Sequence, residues 1–283
     1  MTTMRRVGVV PRFLLPRPDW RVDSADERSD SDGKVCFASA AAASSGSEPA
    51  AHNVEIRWRG GDLSSSIGES ASRSTTMPVF GTIAHIFHNV GPRTARWTTV
   101  ALWVIEGRIF EFRARVGDLD VFAVLLASLR RVDESEWLSA LSANTVKPSD
   151  HAATVASMLH GVSAPPGFDP SSIKAVRFVK DRYQFGALVA GTVACTWFKI
   201  WSEARRDDDA EAVREAIEAM STTKNWPILR EMAESGAYPW VIEQLVEAMP
   251  AGGRHGRPLA DDVNSSLGCP ALGVPLSHDA PAS

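Results

Sequence analysis

Residues 181–201, DRYQFGALVAGTVACTWFKIW, do most to restrict what this chain of 283 residues can become. Sixteen uncharged residues run from Tyr183 to Phe198, between Arg182 and Lys199. As a helix they span roughly 24 Å at 1.5 Å per residue, short of the ~30 Å hydrocarbon core of a bilayer. Gln184, Gly186, Gly191, Thr192 and Thr196 interrupt the run. Asp181 and Arg182 charge one end, and Glu203, Arg205 and Arg206 the other. Tyr183, Ala187, Ala190, Ala194, Trp197 and Trp201 recur at steps of 4, 3, 4, 3 and 4, which is one continuous helical stripe. Its small centre lets a neighbouring helix come close, and its aromatic ends close over that neighbour. Phe185, Leu188, Val189 and Val193 cover the other faces. A helix apolar nearly all round is a membrane span or the central helix of a bundle. Length and polarity select the bundle, so no integral membrane span is expected.

The first half of the chain carries a different period. NVEIRWRG sets Val54, Ile56 and Trp58 against Glu55, Arg57 and Arg59. RIFEFRARV sets Phe110, Phe112, Ala114 and Val116 against Glu111, Arg113 and Arg115. Alternation of this kind makes strands with one buried and one wet face. TTVALWVIEG precedes the second strand, and Glu106-Gly107 is placed to turn the pair into a hairpin. KVCFA (34–38) and VFGTIAHIFH (79–88) are further strands. A helix follows, capped by Asp118, with Leu119, Phe122, Leu125, Leu126 and Leu129 inward; Arg130 and Arg131 at its end suit the helix dipole. A weaker helix is placed at 62–73, and loops at 39–51 and 89–96.

From residue 134 helical periods take over. They run through 135–141, through 149–162 behind Ser149, and through 181–206. They continue from Asp207-Asp208-Asp209 with Val213, Ile217 and Met220, from Trp226-Pro227, and from Tyr238-Pro239 to Met249. The expected class is therefore α+β: an antiparallel sheet with one or two helices (18–133), then an all-α helical bundle (134–250). A basic segment (1–17) precedes them. The tail 251–283, rich in Gly, Pro and Ser, is expected to be disordered.

Several strings together resemble a family of uncharacterised proteins from high-GC actinobacteria: PRFLLPRPDW (11–20), FEFRA (110–114), LASLRRVD (126–133), EWLSAL (136–141), PPGFD (165–169), RYQFGALVAGTVACTWF (183–198) and WPILREM (226–232). The resemblance covers about residues 11–250 and implies no activity and no functional residue. The N-terminal half is similar in element order to the compact α+β fold of PsbP-like and Mog1-like domains, which implies a fold and not a function.

The net charge of −4 and the lack of a basic stripe exclude a nucleic-acid partner. Cys36, Cys195 and Cys269 stand far apart without a C-x-x-C pair, so neither zinc nor a disulfide framework is expected, which fits a reducing compartment. After Arg5 and Arg6 the apolar run Val7–Val10 is closed by Pro11 and Arg12. A leader needs ~7–15 apolar residues there, so export is not expected. His85 and His88, three apart on a strand, point to opposite faces and make a poor metal pair. The three aspartates at 207–209 complement a helix start. No G-x-S-x-G, H-E-x-x-H, P-loop or G-x-G-x-x-G occurs. No cofactor is expected.

Three groups of residues remain as candidate sites. Arg57, Arg59, Arg113 and Arg115 on one sheet face can chelate an anion, although Glu55 and Glu111 lie among them and cross-strand pairing on a solvated face is the simpler reading. Arg182, Tyr183 and Gln184 open the central helix behind a cap at Asp181 and can line a pocket there. Trp197, Trp201, Trp226 and Trp240 make either an aromatic pocket or core. The function expected first is a non-catalytic binding or regulatory protein of the cytoplasm, with another protein as partner. One alternative is an enzyme of unknown class with its site between the two domains. The other is a peripheral membrane protein that uses Arg5, Arg6, Arg12 and Arg17.

Overall fold

The computed structural model describes residues 10–17, 20–29, 31–39, 54–67, 74–88, 99–116, 118–173, 178–254 and 256–276. The loops placed at 39–51 and 89–96, residues 68–73 of the weak helix, and Arg5 and Arg6 lie outside them, apart from Ser39. The structure is mixed, with a large antiparallel sheet in the N-terminal half and helices in the C-terminal half. It forms two compact units: 1–147 with 178–181, and 148–177 with 182–283.

The first unit contains β1 (Arg12–Leu14), β2 (Trp20–Ser29), β3 (Asp32–Ser39), β4 (Val54–Arg59), α1 (Leu63–Ile67), β5 (Thr75–Val79), β6 (Thr82–His88), β7 (Thr99–Ile105) and β8 (Arg108–Ala114). It continues with α2 (Leu119–Ala127), β9 (Arg130–Val132), α3 (Glu134–Ala140), β10 (Thr145–Val146) and β11 (Lys180–Asp181). Seven strands form one antiparallel sheet in the order β2-β3-β4-β8-β7-β6-β5. Register pairs Ile56 with Phe112 and Trp58 with Phe110, so the apolar face read from the alternation is continuous across β4 and β8. That face packs against Phe13 of β1 and Phe122 of α2, with Phe13–Phe110 and Phe112–Phe122 ring centroids 5.2 and 5.3 Å apart. Asp118 caps α2 by accepting from the amides of Asp120 and Val121. Phe122, Leu125 and Leu126 are buried, each contributing about 1.5–3 kcal/mol. On the opposite face Ile67 of α1 covers a smaller core of Phe87, Leu102 and Ile109.

Several expectations are corrected. The stretch 79–88 is not one strand. Phe80-Gly81 turns β5 into β6, with Phe80 at φ +50° and Gly81 at +77°. Arg130 and Arg131 do not end α2; they lie in β9, which pairs with β1. Within the basic segment, the described residues include β1, which is buried, and Val10, Phe13, Leu14 and Leu15 join the core. Arg12 is itself buried, ion-paired with Glu27 and set over the Trp58 and Trp137 rings at 5.5 and 4.2 Å. It is therefore not presented to a lipid surface. The helical region does not begin at 134: Trp137 of α3 belongs to the sheet's core, and the helical unit starts at 148. Asp181 lies in β11 opposite Thr145, so the expected cap position closes a ladder.

The second unit contains α4 (His151–Leu159), α5 (Arg182–Arg206), α6 (Ala210–Ser221), α7 (Pro227–Ala233), α8 (Tyr238–Ala248), the short ladder β12 (Gly253–Arg254) with β13 (Arg257–Pro258), and α9 (Leu259–Leu267). That ladder means the unit is not purely helical. Along α5 the stripe is buried from Ala190 onward, with Val189, Val193, Ala194, Phe198 and Trp201 fully buried, whereas Tyr183, Ala187 and Leu188 near its start are half-buried. Among the described residues no helix is long and apolar enough to cross a membrane. Asp209 caps α6, accepting from the amides of Glu211 and Ala212. Asp150 and not Ser149 precedes α4, without a side-chain cap bond.

The expected disorder of 251–283 is also corrected, for residues up to 276. Leu259, Ala260, Val263 and Leu267 give α9 a buried face. Gly268, at φ +69°, ends the helix in the left-handed conformation common at helix C-termini. Cys269 follows and forms a disulfide with Cys195 of α5, Cα–Cα 5.7 Å. The expectation of no disulfide fails because 74 residues separate the pair, and only the docking of α9 onto α5 brings them together.

Candidate functional site

The helical unit contains a groove of about 490 Å³. Its walls come from three places. Tyr183, Gln184, Ala187 and Leu188 lie on the first two turns of α5. Ala237, Tyr238 and Val241 open α8, and Leu267 and Leu272 belong to the C-terminal segment. None of these side chains is charged. They leave an apolar trough whose polar groups are two phenols and one amide. The chain has only two tyrosines, and both are here.

Local chemistry explains how the walls meet. Ala237, at the N-cap of α8, offers no side-chain acceptor. The Tyr183 hydroxyl takes that role, accepting a hydrogen bond from the Tyr238 amide at 3.0 Å. A helix start needs such an acceptor because its first N–H groups have no partner within the helix. Gly236 makes the approach possible, since a Cβ there would collide with the Tyr183 ring. Gly191 does the same for the other tyrosine: a Cβ on it would run into the Tyr238 hydroxyl and Leu272. The Tyr238 phenol therefore lies against the bare backbone of α5. Burial raises its pKa well above the ordinary phenol range, and the neighbouring Tyr183 adds to the effect. The Cys195–Cys269 bond anchors the segment that supplies Leu267 and Leu272.

Of the residues singled out in the sequence, Tyr183 and Gln184 line this groove. Arg182 does not; its guanidinium grips Glu231 through Nε and Nη2, the latter at 3.0 Å. The Arg182 hydrogen bond holds the Glu231 carboxyl below its usual range. The tryptophans do not form one pocket. Trp197, Trp201 and Trp226 are core, whereas Trp240 on α8 is 61% exposed.

On the sheet, Glu55, Arg57, Glu111 and Arg113 share one face, as β4 and β8 are paired neighbours. Arg57 donates to Glu55, and Arg113 Nη2 lies 2.8 Å from Glu111 Oε1. Two carboxylates thus neutralise two of the guanidiniums. Arg59 donates to Ser66 of α1 at 2.7 Å, and Arg115 lies beyond the end of β8. The face carries an ion pair within each strand and one across them, Arg113 Nη1 to Glu55 Oε1 at 3.8 Å, and no concentrated positive field. Cys36, opposite Glu55, donates its thiol to Glu55 at 3.6 Å. Burial, then Glu55, push its pKa up to about 11, which keeps it a thiol at neutral pH.

His88 bonds Thr99 at 2.9 Å, whereas His85 faces Ser74 at 3.5 Å. Among the described residues no group of three or more His, Cys, Asp or Glu could hold a metal ion. Of the other groove residues, Ala187, Leu188 and Tyr238 read in the sequence only as helix positions, and Leu267 and Leu272 fall in the tail. The available signal was the i, i+4, i+8 spacing of Leu259, Val263 and Leu267, which spells a helix face inside the tail. Comparison of the chain with family models, with curated proteins and with solved structures finds no match.

Proposed function

We propose that this is a non-catalytic binding protein whose site is the uncharged groove between α5, α8 and the C-terminal segment. The observation that carries the proposal is the groove itself. Its volume of about 490 Å³ falls among small-molecule sites of roughly 300–1,000 Å³, and its lining pairs an apolar majority with a few polar groups. The test is a fluorescence titration with Nile red, a neutral apolar dye. The wild type should bind it saturably. Val241→Trp, which fills the trough from α8, should lose most of that binding while keeping its helical circular dichroism. Equal binding by the two proteins would refute the assignment.

A second proposal, a protein partner, is favoured by Trp240, because an exposed tryptophan of this size is unusual outside interfaces. Affinity purification from the native host with wild type and Trp240→Ser decides it: a protein retained by both or by neither removes it. As to compartment, the Cys195–Cys269 bond weighs against the reducing cytoplasm expected from the scattered cysteines. Acid-quenched alkylation of the protein in its own cells, read by intact mass, tells a reducing compartment from an oxidising one.

A further inference from the structure

Tyr238 is the polar group of the groove that the fold itself does not use. Its backbone amide is engaged by Tyr183, but no acceptor among the described residues reaches its hydroxyl. The contrast with Tyr183 is informative, since that hydroxyl has a structural duty as the cap of α8. Tyr238 is half-buried, and its hydroxyl keeps accessible surface, so its O–H can be offered to an occupant of the groove. Packing alone would be served as well by phenylalanine. Tyr238 also needs a glycine opposite it, because any side chain at 191 would displace the hydroxyl. The sequence therefore maintains both a donor and the space for it at the wall of an apolar trough.

From this we infer that the groove takes a small, neutral, mostly apolar molecule bearing one carbonyl, which accepts a hydrogen bond from the Tyr238 hydroxyl. The inference rests on the groove being the binding site. The ligand is neutral because none of the nine lining side chains carries a charge to balance one. It is largely apolar because Ala187, Leu188, Ala237, Val241, Leu267 and Leu272 would otherwise desolvate polar surface without compensation. It carries an acceptor and not a second donor, because the phenol's unused function is its O–H. A ketone, ester or amide on a hydrocarbon body meets all three conditions.

The experiment compares two probes on the full chain. Nile red carries a ring carbonyl; diphenylhexatriene is a hydrocarbon of similar length without any polar atom. Tyr238→Phe keeps the ring, its packing on Gly191 and the backbone bond to Tyr183. It should weaken Nile red binding about three- to tenfold, the range for one neutral hydrogen bond, and leave diphenylhexatriene unchanged. Equal losses for both probes would show a change of packing and overturn the inference, as would no loss for either. If the wild type bound neither probe, the groove itself would be refuted as a site, which separates the two failures. A second measurement needs no variant: the infrared carbonyl band of Nile red bound to wild type should lie at lower frequency than in a hydrocarbon solvent. An unshifted band would overturn the proposal.

Discussion

Replacing Cys269 with alanine removes a cross-link that closes a loop of 74 residues. In the chain-entropy treatment the bond withholds about 2.1 + 1.5R ln 74, or roughly 15 cal/mol/K, from the unfolded chain, which is about 4.4 kcal/mol at 25 °C. Residual structure in the unfolded state lowers that figure, so about 2–4 kcal/mol is expected. The variant should still fold, because α9 keeps its own buried face of Leu259, Ala260, Val263 and Leu267. The assay is urea unfolding followed by tryptophan fluorescence, where Trp197, Trp201 and Trp226 report on the helical unit. Wild type treated with a thiol reductant while unfolded should match the variant once refolded under reducing conditions. A loss below about 0.5 kcal/mol would refute the reasoning. So would three free thiols in unreduced, denatured wild type, where one, Cys36, is expected.

Two further outcomes follow from buried polar groups. Glu27→Gln leaves the buried Arg12 guanidinium without its counter-charge and should cost about 3–5 kcal/mol in urea unfolding, whereas breaking an exposed pair such as Arg130–Glu136 should cost far less. Cys36 has a folded-state pKa raised to about 11, so its contribution to stability is complete below the unfolded thiol pKa of about 8.5 and is lost as pH rises toward 11. Iodoacetamide should therefore modify native Cys36 much more slowly at pH 8.5 than the same residue in urea, and equal rates would contradict its buried pairing with Glu55.

The strands and caps were legible where one local rule decided them. Alternation at 54–59 and 108–114 placed β4 and β8, and Asp118 and Asp209 marked two helix starts, because each rule depends on neighbours in sequence. Glu106-Gly107 was readable as a turn through its glycine. Phe80-Gly81 was not, since a phenylalanine at positive φ gives no turn signal. β2 escaped because WRVDSADERS looks like a solvated loop; its Asp26 and Glu27 are buried against groups from other segments, Lys180, Arg12 and the Val179 amide. The candidate site was half legible. Tyr183 and Gln184 were found through the opening of the central helix. Tyr238 read as a helix start, and Leu267 and Leu272 were lost in a tail whose composition concealed a helix pinned by a distant cysteine.

The most direct test of the binding groove is methyl NMR on leucine- and valine-labelled protein titrated with Nile red. The account predicts shifts concentrated at Leu188, Val241, Leu267 and Leu272, the methyl-bearing leucines and valine of the groove, with those of the sheet unit unmoved. Saturable binding that leaves these four unmoved, or that shifts methyls in the sheet unit instead, would contradict it.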